Sequence, residues 1–290
     1  MLYREFRPSP SLDDAVDRLW WLEGPAELIG AEPIPPDGRT EIIVHGGDPF
    51  EQRDPDGGWR AQTRVLFAAQ ATRAVQVRPR GLARIVGARL RPTGAHSLFG
   101  CPQDGLANQI LELDRLDRRL ARTLRDDVAT RESGEAMVAA LDRALVGAVR
   151  AAGSASPAAD AVTIALGRRG LVKVGDLAAE LDLSARQIER VFSERVGLSP
   201  KVFLRIVRFQ EVLGGLRSGA PDAGRPWAEI AARHGFYDQA HFIRDFKSFV
   251  GESPGAWRIT PESLAAVFSA VRRDPVVGSV DDVAFFQDRA

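Results

Sequence analysis

The pattern Arg-x-Phe-x4-Gly-x2-Pro occurs twice near the C-terminal end of this 290-residue chain, as Arg190, Phe192, Gly197 and Pro200 and, 54 residues on, as Arg244, Phe246, Gly251 and Pro254. A short apolar helical pattern precedes each copy, over residues 177–181 and 230–234, followed by a turn, Asp182-Leu183 in the first and Gly235-Phe236-Tyr237 in the second. The second turn is one residue longer. Ser184, with Gln187 three residues on, has the reciprocal capping-box arrangement that opens a helix. Asp238 takes the same place in the second copy, its carboxylate favoured by the positive end of the helix. Behind each cap one apolar stripe runs at helical spacing: Ile188, Val191 and Phe192, then Phe242, Phe246 and Phe249.

The residues off those stripes are Arg186, Glu189, Arg190 and Glu194 in the first copy and Gln239, His241, Arg244 and Ser248 in the second. Arg pairs with guanine, Gln with adenine, and Glu accepts from the cytosine amino group, so these faces carry the chemistry of major-groove reading. A single such face is commonly no more than solvated; two with matched turns point to double-stranded DNA. Gly197 and Gly251 suit the left-handed residue that ends a helix, and Ser199-Pro200 and Ser253-Pro254 each supply an N-cap and a first-turn proline for the next. From Pro200 an apolar run predicts one continuous helix over residues 201–217, about 25 Å long at 1.5 Å per residue. That length suits two recognition helices about one duplex turn apart, near 34 Å.

Residues 158–258 resemble the DNA-binding domain of the AraC/XylS family of bacterial transcription regulators. The match is carried above all by Gly235-Phe-Tyr-Asp-Gln-Ala-His-Phe-Ile-Arg-Asp-Phe-Lys247 and Gly251-Glu-Ser-Pro254. Position by position, the resemblance makes Arg186, Glu189 and Arg190 the base readers of the first unit and Gln239, His241 and Arg244 those of the second. It also implies a sensor domain, a small-molecule effector, RNA polymerase as a further partner, and a homodimer. Residues 220–225 form an insert that looks longer than the family's usual turn and would loosen the angle between the units.

Charge agrees with this without having suggested it. The chain has 39 basic and 39 acidic residues, yet residues 157–258 hold 15 Lys or Arg against 12 Asp or Glu, and only this segment is basic. So modest an excess fits a few phosphate contacts and a moderate salt slope. No apolar run near the N-terminus is long enough for a signal peptide or a membrane span, which implies a cytoplasmic protein with no membrane partner.

The first half reads differently. Pro, Gly and Asp clusters separate β-type runs at 40–45, 64–68, 74–78 and 83–90. Residues 3–100 are similar to a cupin-like jelly-roll sensor of unassigned ligand. Residues 106–152 then turn helical, with Leu113, Leu116, Leu120 and Leu124, and Met137, Leu141, Leu145 and Val149, at helical spacing. Family resemblance makes this pair a dimer contact; spacing alone says only that one face is apolar, as for any helix covering its own domain. The expected class is therefore α+β and multidomain. A β-barrel or jelly-roll-like sensor with flanking helices (1–104 and 105–152) is joined by a linker (153–157) to an all-α domain of two helix-turn-helix units joined by a long helix (158–258). A C-terminal extension (259–290) follows, whose runs at 264–271 and 283–286 are expected to dock on the chain or across a dimer.

The alternative is an enzyme in the β half with DNA binding as an accessory. A metal-dependent cupin oxygenase needs clustered histidines and a carboxylate, whereas this half has His45 and His96 and no His-x-His pair. A DNA-repair methyl acceptor needs a reactive thiol, and the only cysteine, Cys101, stands without a neighbouring base. The reading is of no catalytic residue, no metal and no cofactor. For a sensor pocket the sequence offers Trp20, Trp21, Phe50, Trp59 and Phe67 as lining, with Arg73, Arg84 or Arg89 to face an anionic group.

Overall fold

A computed structural model describes residues 2–25, 30–54, 56–149, 156–216, 222–257 and 278–279. The N-terminal domain is built on two sheets. The larger holds β1 (Leu2–Arg7), β2 (Val16–Pro25), β4 (Thr40–His45), β7 (Val65–Ala68), β9 (Leu82–Leu90), β10 (Ile110–Glu112) and β11 (Gly278–Ser279), in the order β10-β7-β4-β9-β2-β1-β11. The smaller holds β3 (Glu32–Ile34), β5 (Glu51–Arg53), β6 (Trp59–Ala61) and β8 (Val75–Arg78), in the order β3-β8-β5-β6. All pairings are antiparallel except that of β11 with β1. The tail runs at 264–271 and 283–286 lie outside the described residues.

β2, β4 and β9 of the larger sheet send alternate residues to two different cores. On one face Leu19, Trp21, Ile42, Val44, Phe67, Val86 and Ala88 pack with the helices α1 (Gly94–Phe99), α2 (Arg118–Thr123) and α3 (Gly134–Val146). The other face sends Trp20, Leu22 and Ile85 toward the smaller sheet, where they meet Phe50 and Val77. Gly87 stands where a Cβ would lie 2.3 Å from the Trp20 ring, so that indole lies flat across the sheet on a residue without a side chain.

The segment expected to be only helical also contributes β10, which pairs with β7 and makes residues 110–112 the edge of the sheet. Leu113, Leu120 and Leu124, and Met137, Leu141 and Leu145, are all buried in the N-terminal domain's own core. The apolar stripe is thereby used within the chain.

The C-terminal domain comprises α4 (Pro157–Gly167), α5 (Val174–Glu180), α6 (Ala185–Val196), α7 (Pro200–Gly215), α8 (Trp227–Arg233) and α9 (Gln239–Val250). Ser156 caps α4 by accepting from the Ala159 N–H, with Pro157 in the first turn. α7 is the bridge, its 16 residues spanning about 24 Å. It carries an aromatic for each unit: Phe203 meets Phe192 of α6 at 5.7 Å between ring centroids, and Phe209 meets Phe246 and Phe249 of α9 at 5.4 and 4.9 Å. Arg205 of α7 adds a two-pronged ion pair to Asp245 of α9, at 2.8 and 3.1 Å.

The insert expected to loosen the two units holds a clamp in its described part. Asp222, 2% exposed, receives hydrogen bonding from His234 Nε2 at 2.6 Å and lies 3.3 Å from Arg233 Nε, while its own N–H donates to the Gly215 carbonyl. It thus ties the end of α7 to the end of α8. Asp222→Ala is expected to cost about 1–3 kcal/mol, because it strips partners from a half-buried imidazole and an Arg. Urea unfolding checks this, and a loss under a few tenths would show the clamp to be idle.

Candidate DNA-reading face

The two reading units share one local construction. The turn after α5 closes with the Leu183 N–H donating to the Ala178 carbonyl, and the turn after α8 with Phe236 donating to Ala231, both at 2.9 Å. The left-handed residue is Asp182 (φ 53°) in one and Gly235 (φ 69°) in the other. These pairs are offset by 53 residues, the later Arg pair by 54, so the extra residue falls at Tyr237. Lengthening pushes that side chain out: Tyr237 is 92% exposed. It was not among the residues singled out from sequence, although the one-residue difference between the turns marks its place.

Ser184 and Gln187 form the expected capping box, and Asp238 accepts from the His241 N–H. Gly197 (φ 84°) and Gly251 (φ 92°) end α6 and α9 in the left-handed conformation, where a Cβ is strained. Ser199 caps α7, whereas after Ser253 the described residues form a turn that brings Trp257 onto Phe246 at 5.5 Å.

Burial separates two faces on each recognition helix. Ile188, Phe192 and Val196, and Phe242, Phe246, Phe249 and Val250, are buried, while Arg186, Glu189 and Arg190 of α6 and Gln239 and Arg244 of α9 are exposed. Ser184, Arg186, Gln187 and Arg190 line an open depression at the start of α6, with Gln187 committed to its cap. His241 is half-buried: its Nδ1 faces the Tyr237 N–H at 3.4 Å, its Nε2 lies 3.7 Å from Asp245, and its ring stands edge-on to Phe236. Glu194 is half-buried, and its carbonyl accepts from the Gln103 N–H of the N-terminal domain at 2.8 Å. Ser248 donates to the Asp245 carbonyl and lies 3.4 Å from Arg205. The residues expected to read bases thus lie in the first two turns of each helix, while Glu194 and Ser248 in the later turns also contact the chain itself.

The N-terminal domain holds a second feature, a cavity of about 120 Å³ between the sheets. Of the aromatics expected there, Trp20 and Phe50 line it. Trp21 and Phe67 belong to the opposite core, and Trp59 lies beneath Arg78. The arginines expected to face an anion are otherwise engaged. Arg73 is exposed, Arg84 donates to the carbonyls of Glu132 and Gly46, and Arg89, 2% exposed, lies 3.0 Å from Glu41 and 3.8 Å from Asp37. Burial pushes the Glu41 carboxyl up to about 7 and raises that of Asp37, against the pull of Arg89. Burial brings the His45 imidazole down to about 4, so it is neutral at pH 7.

A loop from the cavity wall reaches the C-terminal domain. The Pro36 carbonyl accepts from Gln210 Nε2 of α7 at 2.7 Å, and a Cβ on Gly38 would lie 3.2 Å from the Phe203 ring. Beside them the Ala74 N–H donates to the Phe249 carbonyl of α9.

Comparison with known proteins agrees with this division. A family described as a helix-turn-helix domain matches residues 177–259, and one described as a domain of unknown function, DUF6597, matches residues 4–112. Among solved structures, the chain is similar to ToxT from Vibrio cholerae in its P21 form, with 10% identity and a TM-score of 0.43 over 81% of this chain and 94% of that one. It is similar also to ToxT from Vibrio cholerae O395 bound to (E)-4-(8-methylnaphthalen-1-yl)but-3-enoic acid (9%, 0.43, 88% and 97%). A third is the AraC-like transcriptional activator CuxR (16%, 0.24, 70% and 75%). No individually curated protein matches the chain. A β-rich domain followed by this helix-turn-helix domain defines a DNA-binding transcription regulator. The AraC/XylS resemblance carried by residues 158–258 falls on the segment, 177–259, that the helix-turn-helix family matches. Among the described residues no helix is long and apolar enough to cross a membrane.

Proposed function

We propose that the protein reads two successive major-groove segments, with Arg186, Glu189 and Arg190 of α6 on the first and Gln239 and Arg244 of α9 on the second. His241, held between Phe236 and Asp245, sets the start of α9 and meets a base edge only by turning out of that contact. The observation that carries this reading is that α6 and α9 bury their aromatic faces against a single helix, α7, while their Arg-bearing faces stay exposed. The domain bounds follow the same logic, with a sensor unit over 1–152 and a linker at 153–155; Ser156 and Pro157, expected in the linker, cap and open α4 and so belong to the reader, which runs to 258.

A small molecule in the inter-sheet cavity modulates that reading. Support comes from the loop at residues 35–38, which lines the cavity on one side and meets Gln210 and Phe203 on the other. A ligand acts by preferring one arrangement of loop and α7 over another. Footprinting on genomic fragments tests the reading: two protected segments centred about 10 bp apart are expected. One short protected patch would reduce the reader to a single unit.

A further inference from the structure

His45 is wholly buried in the cavity wall, on the same strand face as Ile43 and Glu41, with its ring 5.7 Å from Phe50. Its two ring nitrogens are treated differently. Nε2 stands 3.1 Å from Gln62 Oε1, which only accepts, and Gln62 is oriented by its Nε2 lying 3.5 Å from Gln52 Oε1. A neutral imidazole carries one proton, so Nε2 holds it and Nδ1 presents a bare lone pair. Among the described residues Nδ1 has no hydrogen-bond partner. A buried acceptor left unmade is a cost to the fold, which a donor brought in from the cavity recovers.

The rest of the wall narrows the guest. Trp20, Ile34, Ile43, Phe50 and Val77 make it mainly apolar and partly aromatic. Its volume, about 120 Å³, is close to the roughly 150 Å³ of an engineered protein cavity that takes up benzene. Its carboxylates, Asp37 and Glu41, oppose an anion and are themselves paired with Arg89, and the Arg in its wall, Arg39, is taken by Asp17 at 3.4 Å.

Building on the reading of this cavity as an effector site, we propose that it takes an uncharged monocyclic aromatic molecule with one O–H or N–H donor, phenol being the simplest, received by His45 Nδ1. Trp20 and Phe50 hold the ring, and Gln62 fixes the imidazole tautomer as a positioning residue. The molecule sits against the Pro35–Pro36–Asp37 wall, whose Pro36 carbonyl Gln210 of α7 engages.

The test is calorimetric titration of the full chain with phenol, pyrrole, toluene and benzoate at neutral pH. Phenol or pyrrole is expected to bind at least about tenfold more tightly than toluene, with benzoate not competing. The two donors separate a hydroxyl from an N–H effector. His45→Phe is expected to erase the gap between phenol and toluene while leaving toluene binding. Should that variant fail to fold, Gln62→Leu, which frees the tautomer, is expected to narrow the same gap. Toluene equal to phenol in the native protein, benzoate as the tightest ligand, or no binding of any probe would overturn the inference. Footprints of the unliganded protein run in parallel: two protected segments with no ring bound would sink the ligand class alone, whereas a single patch or none would sink the reader itself.

Discussion

Phe209→Ala is expected to destabilise the C-terminal domain by about 3–5 kcal/mol, among the largest effects of any single substitution in the chain. The ring is 2% exposed and touches both Phe246 and Phe249, so its removal opens a cavity between the bridging helix and the second recognition helix at once. The Arg205–Asp245 pair cannot refill that volume, and Phe249, over which the Arg205 guanidinium lies at 5.1 Å, loses the ring packed behind it. Against a typical total stability of about 5–15 kcal/mol, this is enough to leave the second unit largely unfolded at moderate urea. Urea unfolding followed by circular dichroism measures it, with the exposed Lys201→Ala on the same helix as the control. Equal midpoints for the two variants would contradict the assignment of Phe209 as the joint.

Arg89→Met is expected to cost the N-terminal domain about 3–5 kcal/mol at neutral pH, since it leaves Glu41 and Asp37 buried without their cation. The sign with pH follows from the carboxyls. Both are raised in the folded protein, so the fold binds their protons more tightly than the unfolded chain, and their contribution falls as pH rises from about 4.5 toward 7. Removing Arg89 lifts both further, which deepens the loss at neutral pH and relieves it near pH 4.5. His45 works in the opposite sense, losing stability as pH falls from 6.5 toward 4, but it is present in both proteins and cancels from their difference. Unfolding midpoints at pH 7.5 and 4.5 decide the matter. An equal loss at both would show that Arg89 acts by packing and not by charge.

The reader was largely legible from sequence because its signals are local. Caps at Ser184, Ser199 and Asp238 and the left-handed Gly197 and Gly251 each depend on residues within one turn, and all appear as expected. β4 was equally plain, bounded by turn residues and alternating inside them. The sensor cavity was not legible, since it depends on register. Trp20 and Trp21 are neighbours in sequence yet enter different cores, and only pairing of Trp20 with Gly87 and of Glu41 with Arg89 says which face each serves. β10 was hidden for a related reason: three residues are too few to show alternation, and the helical pattern around them dominates. Asp222 ties α7 to α8 through contacts to residues on either side of its insert, which composition does not reveal.

The central claim is that two recognition helices read two different half-sites. Its most direct measurement is the affinity of Arg190→Ala and Arg244→Ala for the footprinted site and for versions mutated in each half. Each substitution is expected to cost about 1–3 kcal/mol and to relax specificity in its own half only, Arg190 in one and Arg244 in the other. Unchanged affinity in both variants, or both relaxing the same half, would contradict it.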